Sequence, residues 1–252
     1  MIKRKKTRYR NGEIIDVEEY HAEKYGAPGV SRAKKRKLTK EQMQEVNARN
    51  KAKRCRQRLL EYFSEGDIFA TWTYKKENRP CCMNEALKDF QKAIRYVRRE
   101  YKKRGCELYW MRNIEQGTKG AWHIHIVINQ IGDTAGILEK AWEKGGMWFS
   151  EIKKSKFCDE DMTALASYMT KDENTKEKKK NGELAKARLK MANYNISRNM
   201  PLPEPKIDKI YKWKAEPKPQ KGYYISKSYE GINPVTGFKY RQYTMIRYNK
   251  LE

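Results

Sequence analysis

The chain has 252 residues, enough for one or two domains. It carries 57 Lys and Arg against 32 Asp and Glu, a formal net charge of +25, and only 38% of its residues are hydrophobic. That excess of base points to a polyanionic partner, and without an apolar run of about 18 residues no span of a bilayer is expected. The start, Met1-Ile2-Lys3-Arg4-Lys5-Lys6, has no apolar segment behind it, so no secretory signal is expected either. Five cysteines without Cys-x-x-Cys spacing fit free thiols in a reducing bacterial cytoplasm and argue against a structural zinc site.

In chain order, residues 1–38 hold basic runs at 3–10 and 32–37, broken by Gly26, Pro28 and Gly29. They read as a largely unstructured basic arm. Thr39 reads as an N-cap, with Glu41 in the first turn of a helix reaching about Phe63. The middle of that helix, Lys51, Lys53, Arg54, Arg56 and Arg58, is either a DNA-facing surface or a solvated charged face. A strand follows at 68–74, with Trp72 and Tyr74 expected in the core, then a turn-rich loop at 75–80. Asn84 caps an amphipathic helix in which Leu87, Phe90, Ile94, Val97 and Tyr101 recur at three- and four-residue spacing, and Gly105 stops it.

Residues 106–115 read as a strand, 116–120 as a hairpin connection, and 121–129 as the returning antiparallel strand. Period two puts Trp122, Ile124, Ile126 and Ile128 on a buried face and His123 and His125 on the other. These are two of the chain's three histidines; the third, His21, has no evident partner. Asp133 or Thr134 caps a short helix ending at Gly145 and Gly146, and 147–152 is a further strand. Asp159, Glu160 and Asp161 precede a helix over 164–171 whose apolar stripe is Met162, Leu165, Ala166 and Met169. Tyr168 lies about 110° from the stripe's centre and Lys171 about 170°. The charge run 171–180 reads as a mobile loop, and 223–226 and 238–248 as terminal strands. No Gly-x-x-x-x-Gly-Lys phosphate loop occurs, so ATPase or helicase activity is not supported.

Three pieces can meet. Paired as a hairpin, Glu115 falls near His123 and His125. Two imidazoles and a carboxylate suit a divalent cation, Mg2+ or Mn2+, with open positions. Tyr168 supplies a nucleophile for phosphorus and Lys171 a neutralising cation. A phenol ordinarily titrates near 10, so activation by a cation is needed. The set is coherent for cutting a phosphodiester.

Phe69-Ala70-Thr71-Trp72-Thr73-Tyr74, His123-Ile124-His125 and Tyr168-Met169-Thr170-Lys171 resemble, in that order, the three motifs of HUH-superfamily rolling-circle replication initiators, the Rep endonucleases of plasmids and phages. Glu115 matches the acidic residue that many members place before the histidines. Ser197-Arg198-Asn199 followed by Pro201 is similar to a segment of phage-type members. The resemblance covers about residues 60–172 and is to the single-tyrosine class. It implies an α+β fold with a central antiparallel sheet flanked by helices. It also implies metal-dependent nicking of single-stranded or hairpin origin DNA, a 5′-phosphotyrosine intermediate with a free 3′-OH, and use of a host helicase and polymerase. On this reading 1–64 is the basic arm and helix, 65–172 the endonuclease domain, and 173–252 a basic linker and C-terminal extension. Two other functions stay open: a single-tyrosine transposase or relaxase-type strand transferase, and a non-catalytic nucleic-acid binder.

Overall fold

The structure is a computed structural model; it describes residues 2–21, 39–153, 160–175, 188–232 and 238–248. In chain order these form β1 (Ile2–Tyr9), β2 (Ile14–His21), α1 (Lys40–Tyr62), β3 (Ile68–Thr73), α2 (Met83–Lys103), β4 (Trp110–Gly117), β5 (Trp122–Ile128), α3 (Thr134–Ala141), β6 (Met147–Glu151), α4 (Thr163–Met169), β7 (Leu189–Ile196), β8 (Lys206–Ile210), β9 (Tyr223–Ile232) and β10 (Lys239–Arg247). The fold is α+β, as expected, with two five-stranded antiparallel sheets ordered β8-β1-β2-β10-β9 and β6-β3-β5-β4-β7.

The chain divides into two compact units, Met1–Arg49 with Leu202–Glu252, and Asn50–Pro201. This differs from the expected divisions at 64 and 172. The site-bearing unit continues past 173 because β7 pairs with β4 along its length. The expected basic arm is, over its first 21 residues, a hairpin: β1 pairs β2 from Ile2 opposite His21 to Tyr9 opposite Ile14. The run at 32–37 lies outside the described residues, as do Cys158, Asp159 and the 176–180 part of the charge run.

The N-terminal strand escapes sequence reading because its partners neutralise its charges. Across the first sheet, Asp208, Arg4, Glu19, Arg241 and Glu230 are register partners in one row, alternating acid and base. Arg4 Nε donates to Glu19 Oε1 at 2.7 Å, Arg241 Nη1 lies 3.6 Å from Glu19 Oε2, and Arg241 Nε pairs with Glu230. Arg241 is 1% and Glu19 3% exposed. Arg241 Nη2 also donates to the carbonyls of Lys214 (2.9 Å) and Ala215 (2.7 Å). Ile15, Val17, Tyr243 and Met245 form a small core beside this ladder. His21, expected to lack a partner, stacks on Phe238 with ring centroids 4.5 Å apart.

Helix α1 opens with a reciprocal capping box. The Gln42 amide donates to Thr39 Oγ1 (3.2 Å), and the Thr39 amide to Gln42 Oε1 (3.1 Å). In the second unit its basic middle is partly structural. Arg56 Nε donates to the Asp161 carbonyl (2.7 Å) and Arg58 Nε to that of Met200 (2.9 Å), while Lys51 pairs with Asp172 (3.5 Å). The Ser197–Pro201 neighbourhood also holds this unit together, for the Ser197 amide donates to the Trp110 carbonyl at 2.9 Å.

One face of the second sheet carries the main core. Ala70, Trp72, Ile114, Trp122, Ile124, Ile126 and Ile128 pack with Phe90, Val97 and Tyr101 of α2 and Leu138 of α3. Trp72 and Tyr74 are buried as expected, and Trp72 stacks flat on Trp142 at 4.9 Å. Helix α2 begins at Met83, with Cys82 rather than Asn84 as its N-cap. It ends where Gly105 takes a φ of +67°, and the Gly105 and Cys106 amides donate back to the carbonyls of Lys102 and Tyr101. The end of β3 is fixed by a close approach. A Cβ on Gly145 would lie 2.0 Å from the Thr73 carbonyl oxygen, and the Thr73 amide donates to Gly146 O at 2.9 Å.

Candidate functional site

The central strand of the second sheet is β5, and its period-two alternation turns His123 and His125 to the face opposite the main core. The β4–β5 register puts Glu115 directly across from His123 and Asn113 across from His125; on the other side β3 places Thr71 across from His125. Position in a central, twice-paired strand makes the histidine backbone rigid.

His125 is held at both nitrogens. Nδ1 lies 2.9 Å from Thr71 Oγ1, which leaves Nε2 aimed at Glu115 Oε2 (3.4 Å) and the Tyr168 hydroxyl (3.3 Å). Phe69 stacks on the imidazole at 5.9 Å, and Tyr168 meets it edge-on at 5.1 Å. Asn113 Nδ2 donates to Glu115 Oε1 and to the Lys171 carbonyl, both at 2.9 Å, so one amide sets the carboxylate and the residue after α4 together. Lys171 Nζ lies 4.1 Å from the centre of the Tyr168 ring. All five sequence-derived site residues therefore gather on one sheet face.

Three details differ from expectation. Lys171 is not on the helix: α4 ends at Met169, because the Thr170 hydroxyl takes the Ala166 carbonyl at 2.8 Å and Thr170 becomes the C-cap. The stripe Met162, Leu165, Ala166 and Met169 is buried as read. Among the described residues, the trio of His, Cys, Asp and Glu side chains whose donor atoms all fall within 4.8 Å of one another is Cys81, Cys82 and Glu85, at the start of α2. Glu115 and His125 approach each other more closely than that; His123 is the member that stands off, its ring 6.1 Å from that of His125.

The site's chemistry fits a divalent cation. Glu115 and His125 are 4% and 7% exposed, and the carboxylate faces imidazoles and an amide in place of a Lys or Arg. Asn113 Oδ1 is buried with no hydrogen-bond partner among the described residues, so acceptors outnumber donors there. Burial first, then His125, pushes His123 below the usual imidazole range; Glu115 opposes the shift and Arg79 adds to it. A neutral His123 is the form that ligates metal.

Asn113 and the His125-orienting role of Thr71 were missed in the sequence. Asn113 had a usable signal, since it sits two residues before Glu115 and so shares its face of β4.

Residues 67–173 match a family of replication-associated proteins, the ORF2 type. The matched span holds Thr71, Asn113, Glu115, His123, His125, Tyr168 and Lys171, and it supports a role in replication initiation. No curated protein and no solved structure matches the chain. Among the described residues no helix is long and apolar enough to cross a membrane.

Proposed function

We propose that the protein is a rolling-circle replication initiator that nicks single-stranded origin DNA through Tyr168. The observation that carries this reading is the Tyr168 hydroxyl, 3.3 Å from His125 Nε2, which itself lies 3.4 Å from the Glu115 carboxylate. A phenol held against an imidazole–carboxylate pair, on a sheet matched by a replication-associated family, is suited to attack on phosphorus.

The Tyr168 oxygen forms the new bond to phosphorus, and the bond from phosphorus to the 3′ oxygen breaks. The 3′ oxygen takes up a proton and leaves as a free 3′-OH, while the 5′ phosphate stays on the tyrosine. Because the linkage conserves the phosphodiester, the reverse reaction joins ends. Lys171, 4.1 Å from the ring centre, favours the phenolate. Asn113 and Thr71 hold Glu115 and His125 in orientation. A divalent ion, Mg2+ or Mn2+, on Glu115, His123 and His125 supplies Lewis-acid polarisation of the non-bridging phosphate oxygens. Strand separation and synthesis from the 3′-OH fall to a host helicase and polymerase.

The test is incubation with Mn2+ and labelled single-stranded oligonucleotides from the DNA flanking the gene. The expected product is a protein–DNA adduct stable on a denaturing gel, with the covalent peptide mapping to α4. An adduct that persists in Tyr168→Phe removes Tyr168 from its role.

A further inference from the structure

On the other face of the same sheet, α2, β4 and the end of β7 enclose a cleft of about 980 Å3, within the size range of ligand pockets. Three of its basic residues come from one stripe of α2: Arg95, Arg98 and Lys102 recur at three- and four-residue spacing. Arg198, just past β7, adds a fourth charge.

The fifth is Arg112 of β4, and it is built in. Only 3% of it is exposed; it lies over the Phe90 ring at 4.9 Å, and Nη1 donates to the Asn193 carbonyl (2.6 Å) and Oδ1 (3.0 Å). Its Nε has no partner among the described residues, nor has the indole nitrogen of the adjoining Trp110. Burial pulls the guanidinium down to about 10, so it stays charged at neutral pH. A buried cation without a carboxylate partner is costly on its own. The carboxylate lining the cleft, Glu107, is engaged by Asn199 Nδ2 at 3.1 Å. Two unused buried donors and four further cations around one cleft call for an anionic ligand rich in acceptors.

We propose that this cleft is a second DNA site, which grips the phosphodiester backbone of a strand on the face of the sheet away from Tyr168. It engages phosphates through Arg95, Arg98, Arg112 and Arg198, and needs no chemistry at the tyrosine. It therefore stands or falls separately from the nicking reaction.

The test measures binding of a short labelled oligonucleotide, as single strand and as duplex, in metal-free buffer across a salt series. The triple variant Arg95→Gln, Arg98→Gln, Arg198→Gln is compared with Lys212→Gln, Lys218→Gln, Lys221→Gln. Both remove three exposed charges. The slope of log affinity against log salt is expected to fall by about two to three in the cleft variant and to hold in the control. The DNA form in which the slope falls is the form the cleft takes. An unchanged slope in both forms, or an equal fall in the control, overturns the proposal. Adduct formation by the wild-type protein is scored separately; its absence would end the nicking reading and leave the cleft result standing.

Discussion

In the first unit's sheet, Asp208, Arg4, Glu19, Arg241 and Glu230 cross five strands as alternating acid and base. In the second unit's sheet, Thr71, His125 and Asn113 share one row, with His123 and Glu115 in the next. Both sets are polar and largely buried. The ladder answers each charge with its opposite, so it is complete as it stands. The other set gives Glu115 only imidazoles, an amide and a nearby phenol, so its negative charge awaits a partner. Buried polar groups that neutralise each other read as architecture; a buried carboxylate surrounded by neutral ligands reads as a site.

The sharpest separation of the two is expected at Tyr168. Tyr168→Phe keeps the ring that packs edge-on against Phe69 and His125, so its melting temperature should match wild type. Its adduct formation should fall by at least about a thousandfold, as when an enzyme loses its nucleophile. The counterpart in the ladder is Arg241→Ala, which strands Glu19 and Glu230 and should cost about 3–5 kcal/mol in urea unfolding. Replacing Arg241 and Glu19 together by apolar residues should recover much of that loss, and failure to recover would mean the ladder is not a self-neutralising unit.

Glu115→Gln should leave stability equal or higher, since an uncompensated buried charge is relieved, while metal-dependent nicking drops about a hundredfold or more. A loss of stability matching that of Arg241→Ala would erase the distinction between the two rows. Asn113→Ala and Thr71→Val, which disturb only the orientation of Glu115 and His125, should weaken metal affinity about 10–100-fold, read by titrating Mn2+ against adduct yield. The smallest effect is a pH dependence at His123. Its folded pKa is lowered from the usual imidazole value of 6.5, so the unfolded chain binds more protons there. The stability of the metal-free protein should rise with pH between the lowered folded value and 6.5 and level off above it. His123→Gln should flatten that rise in urea unfolding measured at several pH values.

Much of the second unit was legible because its elements carry local patterns. The alternation of β5 sorted Trp122, Ile124, Ile126 and Ile128 from His123 and His125, and the apolar spacing of α2 marked its buried face. Strand β1 had no such pattern. Its only buried side chains are Ile2, Thr7 and Tyr9, and Lys3 to Lys6 look like a solvated run until β2 and β8 supply Glu18, Glu19 and Asp208. β7 was equally opaque, since its side chains are mostly half-buried and its place depends on pairing with β4. Lys171 was assigned to a helix because periodicity does not reveal that Thr170 will close the last turn.

By itself, the sequence determined which residue types could do chemistry and which face of β5 would carry them, because both follow from composition and from the two-residue repeat of an extended chain. Only the tertiary structure decided that Asn113 ties Glu115 to Lys171, that Thr71 orients His125, and that the first 21 residues join the C-terminal strands in one sheet. Those contacts join residues far apart in sequence, and a hydrogen bond or charge pair exists only once packing has brought both partners into range.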